Sequence, residues 1–195
     1  MPKRDPAHME AQRERIILAT ITCIARKGIE RTSIADIWKE AGLSAGALYV
    51  HFQNKQDLVA QCLQHGARDA PSQPKTWDEL KSQILTFGSH FGLDAATIIR
   101  ARLHFHAEAV QPGDFHDLHK ANLEIAMTSL SGWIQQIADS GEIALRLTAR
   151  QTAAAISAYL DGMLGLALAT DRPIDDALAE IATGMDCFVH IPGTG

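Results

Sequence analysis

The chain has 195 residues, 46% of them apolar, a formal net charge of −5 and three cysteines. That length and composition allow one good-sized core or two small ones, and no stretch of about 18 uninterrupted apolar residues is present to cross a bilayer. Cys23, Cys62 and Cys187 form neither a disulfide framework nor a CxxC metal pair, and MPKRDPAHMEAQRER at the N-terminus lacks an apolar secretion segment. A reducing, cytoplasmic setting with no membrane partner is therefore expected.

The charge is uneven. Residues 1–62 carry 9 Lys+Arg against 7 Asp+Glu, and residues 63–195 carry 9 against 16, so a mildly basic head precedes an acidic body.

The predicted elements are helical throughout. Ile16, Ile17, Thr20, Ile21, Cys23 and Ile24 share one face of a first helix that Gly28 stops after two cations, Arg26 and Lys27. Ser33-Ile-Ala-Asp36 is a capping box that opens a short second helix, with Ile34, Ile37, Trp38 and Ala41 on one face, and Gly42 breaks it. Ser44 caps a third short helix. Asn54-x-x-Asp57 repeats the capping logic for a fourth, with Leu58, Val59 and Cys62 inward. Apolar-periodic segments of helical length follow at about 76–92, 94–110, 115–139, 148–169 and 174–190, separated by Pro- and Gly-containing breaks. Thr148-x-x-Gln151 caps the segment that begins near 148. No run alternates with period two long enough for a convincing strand. The expected fold is all-α, with a three-helix domain over residues 1–62 and a helical bundle over 63–195.

Within the head, GLSAGALYVHFQNK (42–55) sits at the turn between two short helices, the helix-turn-helix arrangement that lays its second helix in the DNA major groove. A glycine at position 42 supplies the left-handed backbone that a β-carbon penalises. Small side chains at Ala45, Gly46 and Ala47, next to the cap Ser44, let the helix start approach base edges and phosphates, where its partial positive charge faces the anionic backbone. Leu48 and Phe52 turn to the core. The Tyr49 hydroxyl, the His51 imidazole and the Lys55 ammonium remain able to donate to phosphate oxygens.

The order and spacing of Arg15-Ile16-Ile17-Leu18-Ala19, Gly28, Thr32-Ser33, Ile37, Ala41-Gly42-Leu43-Ser44, Gly46, Leu48-Tyr49, His51-Phe52, Lys55 and Leu58 resemble the N-terminal domain of TetR/AcrR-type transcriptional regulators. The resemblance covers about a quarter of the chain. It implies a dimeric repressor on a double-stranded palindromic operator, DNA-facing roles for Thr32 and Ser33 as well, and an all-helical C-terminal domain whose small-molecule effector separates the two reading heads. Trp38 departs from the family pattern, which has a small residue there.

In the body, Phe87, Phe91, Phe105, Met127, Trp133 and Tyr159 are candidates to line an apolar effector cavity between helices, with Ile98 and Met163 as further apolar neighbours. Arg102 falls on the stripe of Ile98, Phe105 and Ala109; a buried guanidinium is costly without a partner, so it pairs with a ligand carboxylate, or else reaches solvent or an internal acid such as Glu124. His104-x-His106-x-Glu108 and Asp114-x-His116-Asp117-x-His119 flank a Pro-Gly turn, and imidazole pairs on one helical face are a metal-ligand pattern. This gives two alternatives: a metal-sensing regulator using His104, His116 and His119, or, in another class, a helical metal-dependent hydrolase. No activated nucleophile, phosphate loop or cofactor motif accompanies these histidines, so no enzyme activity, cofactor or metal is expected. Finally, Ala153, Ala154, Ser157, Ala158, Gly162 and Gly165, together with a stripe of Leu178, Ile181, Met185 and Phe188, predict a homodimer through the two C-terminal helices.

Overall fold

A computed structural model describes residues 5–68, 72–86 and 91–192. Nine helices occur among them: α1 (Pro6–Lys27), α2 (Ile34–Glu40), α3 (Ala45–His51), α4 (Lys55–Arg68), α5 (Trp77–Leu85), α6 (Ala95–Glu108), α7 (Asp114–Asp139), α8 (Ala149–Ala169) and α9 (Ile174–Met185). The described residues are all-α apart from two two-residue strands, β1 (Ala144–Leu145) and β2 (Val189–His190). They pair antiparallel, with Ala144 opposite His190 and Leu145 opposite Val189. A ladder of two residues is too short to leave a period-two signal, and it cuts the helix expected over 174–190. That segment becomes α9, a 3-10 turn over Asp186–Phe188 and then β2.

Two compact units divide the chain. Residues 1–69 and 91–119 make the first, and residues 70–90 and 120–195 make the second. The first therefore holds α6 and the start of α7 in addition to the head. Its core gathers Ile16, Ile17 and Ile24 of α1, Ile37 of α2, Leu48 and Phe52 around α3, Leu58 of α4 and Phe105 of α6. Burying each large aliphatic side chain stabilises the unit by about 2 kcal/mol before chain entropy is subtracted.

Helix ends are set locally, as the sequence indicates. Asp5 caps α1 with Pro6 in its first turn, and Gly28 ends it at φ 80°. Ser33 and Asp36 form the reciprocal capping box of α2, and Thr148 with Gln151 that of α8. Asn54 accepts from the Asp57 amide at 2.8 Å. Trp38 is accommodated half-buried at the edge of the core, with the Lys39 ammonium 5.7 Å from its ring centre.

In the second unit the large buried apolar residues include Trp77 and Leu80 of α5, Ile134 and Ile137 of α7, Ile156, Leu160 and Leu164 of α8, and Ile181 and Met185 of α9. The Trp77 indole N–H donates to Asp186 at 2.7 Å, and Lys81 reaches the same carboxylate at 2.9 Å. These bonds tie the start of α5 to the turn after α9. Of the stripe expected to meet a second subunit, Ile181 and Met185 have no exposed surface, while Leu178 and Phe188 are half-buried. What α8 leaves outward is Ala154, Ala158, Gly162 and Leu166, one residue every four. This 21-residue helix has a mean hydropathy of 1.4 over its most apolar window, so by length and composition it would reach across a bilayer. Small residues with Asp161 among them interrupt its bulky apolar residues, which is why the sequence shows no unbroken run.

Candidate nucleic-acid interface

The turn between α2 and α3 is built in three parts. Leu43 N–H donates to Trp38 O at 3.0 Å and Gly42 N–H to Lys39 O at 3.1 Å, the paired bonds of a Schellman end, which demand the φ of 60° that Gly42 adopts. The Arg15 guanidinium on α1 then donates to Ala41 O at 2.5 Å and to Gly42 O at 3.0 Å. Ser44 closes the turn by accepting the Ala47 amide at 3.3 Å as the cap of α3.

Helix α3 anchors itself through Leu48 and through Phe52 just beyond its end. Ser44, Ala45 and Gly46 are exposed at its start, while Ala47 is half-buried. A β-carbon placed on Gly46 would meet nothing nearer than Ser44 Oγ at 4.0 Å, so the fold itself does not require a glycine there. Its bareness matters to what approaches from outside. Tyr49 is 56% exposed, and beside it Val50 is 49% exposed.

Other candidates prove to be engaged inside the protein. Thr32 is only 1% exposed and its hydroxyl donates to Gly28 O at 2.7 Å, so its side chain braces the α1–α2 loop and does not face solvent. The Ser33 hydroxyl, although exposed, is used in the capping box, donating to Asp36 at 2.7 Å. The His51 imidazole is half-buried, with Nε2 3.5 Å from Gln12 Oε1 on α1. Lys55 Nζ donates to Glu30 O at 3.1 Å, which places the ammonium at the rim of the same loop.

Much of the head's positive charge is already paired. Arg26 makes a bidentate pair with Glu40 at 2.8 and 2.9 Å, and Lys27 reaches Asp36 at 2.7 Å. The Lys27 ammonium, with the Ser33 amide and hydroxyl, holds the Asp36 carboxyl well below the usual carboxylate range. Arg31, just before α2, and Lys39, in its last turn, are exposed cations that composition alone does not single out. The exposure of Val50 follows from placing Leu48 and Phe52 inward on a helix, which turns positions 49 and 50 outward. Arg15 carries no such signal, because its partners lie 26 and 27 residues away.

The histidines do not converge. His104 lies against Gly28, with Nδ1 3.3 Å from where a β-carbon on that glycine would sit. His116 Nδ1–H donates to Ala109 O at 2.6 Å, and His119 lies edge-on to His106 with ring centres 5.0 Å apart. Among the described residues no group of three His, Cys, Asp or Glu side chains is placed to hold a metal ion. His119 is 6% exposed, and neither ring nitrogen has a hydrogen-bond partner among the described residues. Burial, reinforced by His106, Arg102 and His116, pushes its pKa down to about 4.

The effector candidates fall in both units. Phe91 stacks on His65 at 5.3 Å, and Phe105 belongs to the first unit's core, 6.2 Å from Phe115. Arg102 is half-buried; Glu124, its expected acid, is taken by Arg150, which reaches both carboxylate oxygens at 2.7 Å. In the second unit, Tyr159 meets the edge of Phe188 at 5.6 Å and its hydroxyl lies over Gly184, where a β-carbon would collide with it. Met127 and Trp133 are half-buried on α7. Phe87 lies outside the described residues.

A capped helix, a glycine turn and a bare, outward-facing second helix form the layout of a DNA-reading head, and comparison with known proteins decides its kind. Residues 16–62 match the family model described as bacterial regulatory proteins of the tetR family. Residues 16–62 thus form a TetR-family DNA-binding domain. The chain is similar over nearly its whole length to two proteins of Pseudomonas putida: ArpR, named as a probable HTH-type transcriptional regulator, and the HTH-type transcriptional regulator TtgR. Each is 28% identical over 95% of this chain and 95% of its own. Its fold matches that of a TetR-family transcriptional regulator from Agrobacterium tumefaciens, with a TM-score of 0.73 and 19% identity over 93% of this chain and 99% of that one. The protein is a DNA-binding transcriptional regulator and not an enzyme.

Proposed function

We propose that this regulator is a homodimeric repressor, released from a palindromic operator when a small molecule binds. The outward face of α3 carries the reading: Ser44, Ala45 and Gly46 are exposed on a helix anchored by fully buried Leu48. In this reading these residues and Ala47 lie nearest the bases. Tyr49, His51 and Lys55 hold phosphates, Ser33 approaches the backbone at the start of α2, and Thr32 acts from inside by fixing that start. Val50 supplies an apolar contact of the kind that reads a thymine methyl.

With few long base-reading side chains, specific affinity depends on two heads meeting successive major-groove faces. The small-residue face of α8 supports the dimer. Ala154, Ala158 and Gly162 allow close helix approach, and Leu166, 54% exposed, adds apolar surface to bury. Met127 and Trp133 on α7 are assigned to the effector. A hundredfold loss of operator affinity on binding requires a coupling of about 2.7 kcal/mol.

The decisive experiment is to incubate the purified protein with fragmented genomic DNA of its source organism and sequence what it retains. Recovery of palindromic sites, with half-sites about one helical turn apart, is expected. Retention without sequence enrichment would overturn the operator reading. Genes beside a recovered site then supply the compounds to test for release.

A further inference from the structure

The reading helix is aimed by a turn whose polar groups are almost fully accounted for, and the accounting singles out one side chain. A helix ends with carbonyls that have no partner in the helix itself. At the end of α2 the Schellman bonds satisfy Trp38 O and Lys39 O. Beyond Glu40, the successive carbonyls Ala41 O and Gly42 O are taken by the fork of Arg15, with Nε at 2.5 Å and Nη2 at 3.0 Å. Only Leu43 separates Gly42 from Ser44, the cap of α3, so a rotation at these carbonyls becomes a rotation of the reading helix. The base of the fork is held firmly, since Ile16 and Ile17, the next residues of α1, are completely buried. The fit is also close. A β-carbon on Gly42 would lie 2.9 Å from Arg15 Nη2, so it would displace the end of the fork, while φ is what requires glycine there.

We propose that Arg15 is a positioning residue for DNA recognition, holding the α2–α3 turn in the geometry that aims α3, and that it does so without contacting DNA. A lysine at this position keeps the charge but loses the planar fork that binds two successive carbonyls. Arg15→Lys and Arg15→Gln separate the possible roles. Binding is measured on a genomic fragment retained by the native protein and on a scrambled duplex of equal length, across a salt series. Both variants are expected to lose about tenfold in affinity for the retained fragment, with unchanged affinity and salt slope on the scrambled duplex. Amide exchange at Gly42 and Leu43 should accelerate in both, while that at Leu48 stays slow, which shows that the head remains folded. If Arg15→Lys binds like the native protein and Arg15→Gln loses about one ion from the salt slope, Arg15 is a phosphate contact and the proposal fails. It fails equally if both duplexes are weakened in the same proportion, since that is loss of fold and not of aim.

Discussion

Three buried threonines show how differently the two units are built. In the first unit, the Thr20 hydroxyl donates to Ile16 O and the Thr32 hydroxyl to Gly28 O, each at 2.7 Å. In the second, Thr152 has no exposed surface, and its hydroxyl has no hydrogen-bond partner among the described residues. The head uses its buried hydroxyls to fix short segments: an unpaired one costs free energy, and a paired one specifies a single loop geometry. The second unit, tied by Trp77 and Lys81 to Asp186, leaves the Thr152 hydroxyl unmet. The contrast suits a head that must present small atoms at fixed positions and a body whose outward faces meet other molecules.

The largest expected effect separates the inside of the second unit from its outer face. Ile181→Glu places an unpaired charge in a site without solvent access, and a loss of at least about 3 kcal/mol is expected, seen as an unfolded or strongly destabilised protein in thermal melts. Ala158→Glu, on the exposed face of α8, should leave the melting of the monomer fold intact and convert dimers to monomers in sedimentation. A folded Ile181→Glu monomer would mean that this side chain belongs to the interface after all.

Next comes a pH effect in the first unit. The folded pKa of His119, about 4, lies below the ordinary histidine value of 6.5, so the unfolded chain takes up the proton first. Stability contributed by the neutral ring is complete above pH 6.5 and is lost as pH falls toward 4. The limiting slope is about 1.4 kcal/mol per pH unit. The groups acting on the ring are His106, Arg102 and His116, and none is an acid that would offset the loss. His119→Phe should flatten this part of the stability profile in urea melts. An unchanged slope would show that other groups govern it.

The threonines give a smaller test with opposite signs. Thr32→Val removes a made hydrogen bond and should cost about 1 kcal/mol, with operator affinity falling as the start of α2 loosens. Thr152→Val removes only an unmet hydroxyl, and its stability should hold or rise. Loss in both would erase the distinction drawn between the units.

The smallest effect is on binding alone. Lys55→Ala should weaken association with all DNA sequences about equally and reduce the salt slope by roughly one ion. Its bond to Glu30 O adds a minor loss of loop order. A salt slope equal to that of the native protein would remove Lys55 from the phosphate contacts.

By itself the sequence determined what depends on near neighbours. Helix starts at Ser33, Ser44, Asn54 and Thr148 follow from side chains that bond amides two or three residues on, and the inward faces of α1 and α3 follow from helical periodicity. These interactions are local, so spacing reveals them, and the glycine turn with its small, outward helix was legible for the same reason. Only the tertiary structure decided which of several similar residues did which work. It buried Thr32 against Gly28, placed Phe105 in the core beside α1, turned Ile181 and Met185 inward while leaving the small face of α8 outside, and, among the described residues, placed no three histidines or acids to hold a metal. It also brought Arg15 to carbonyls 26 and 27 residues away. Each of these outcomes depends on how one helix packs against another, and an apolar stripe or a lone cation looks the same in sequence whether its partner is the chain itself, a second subunit or DNA.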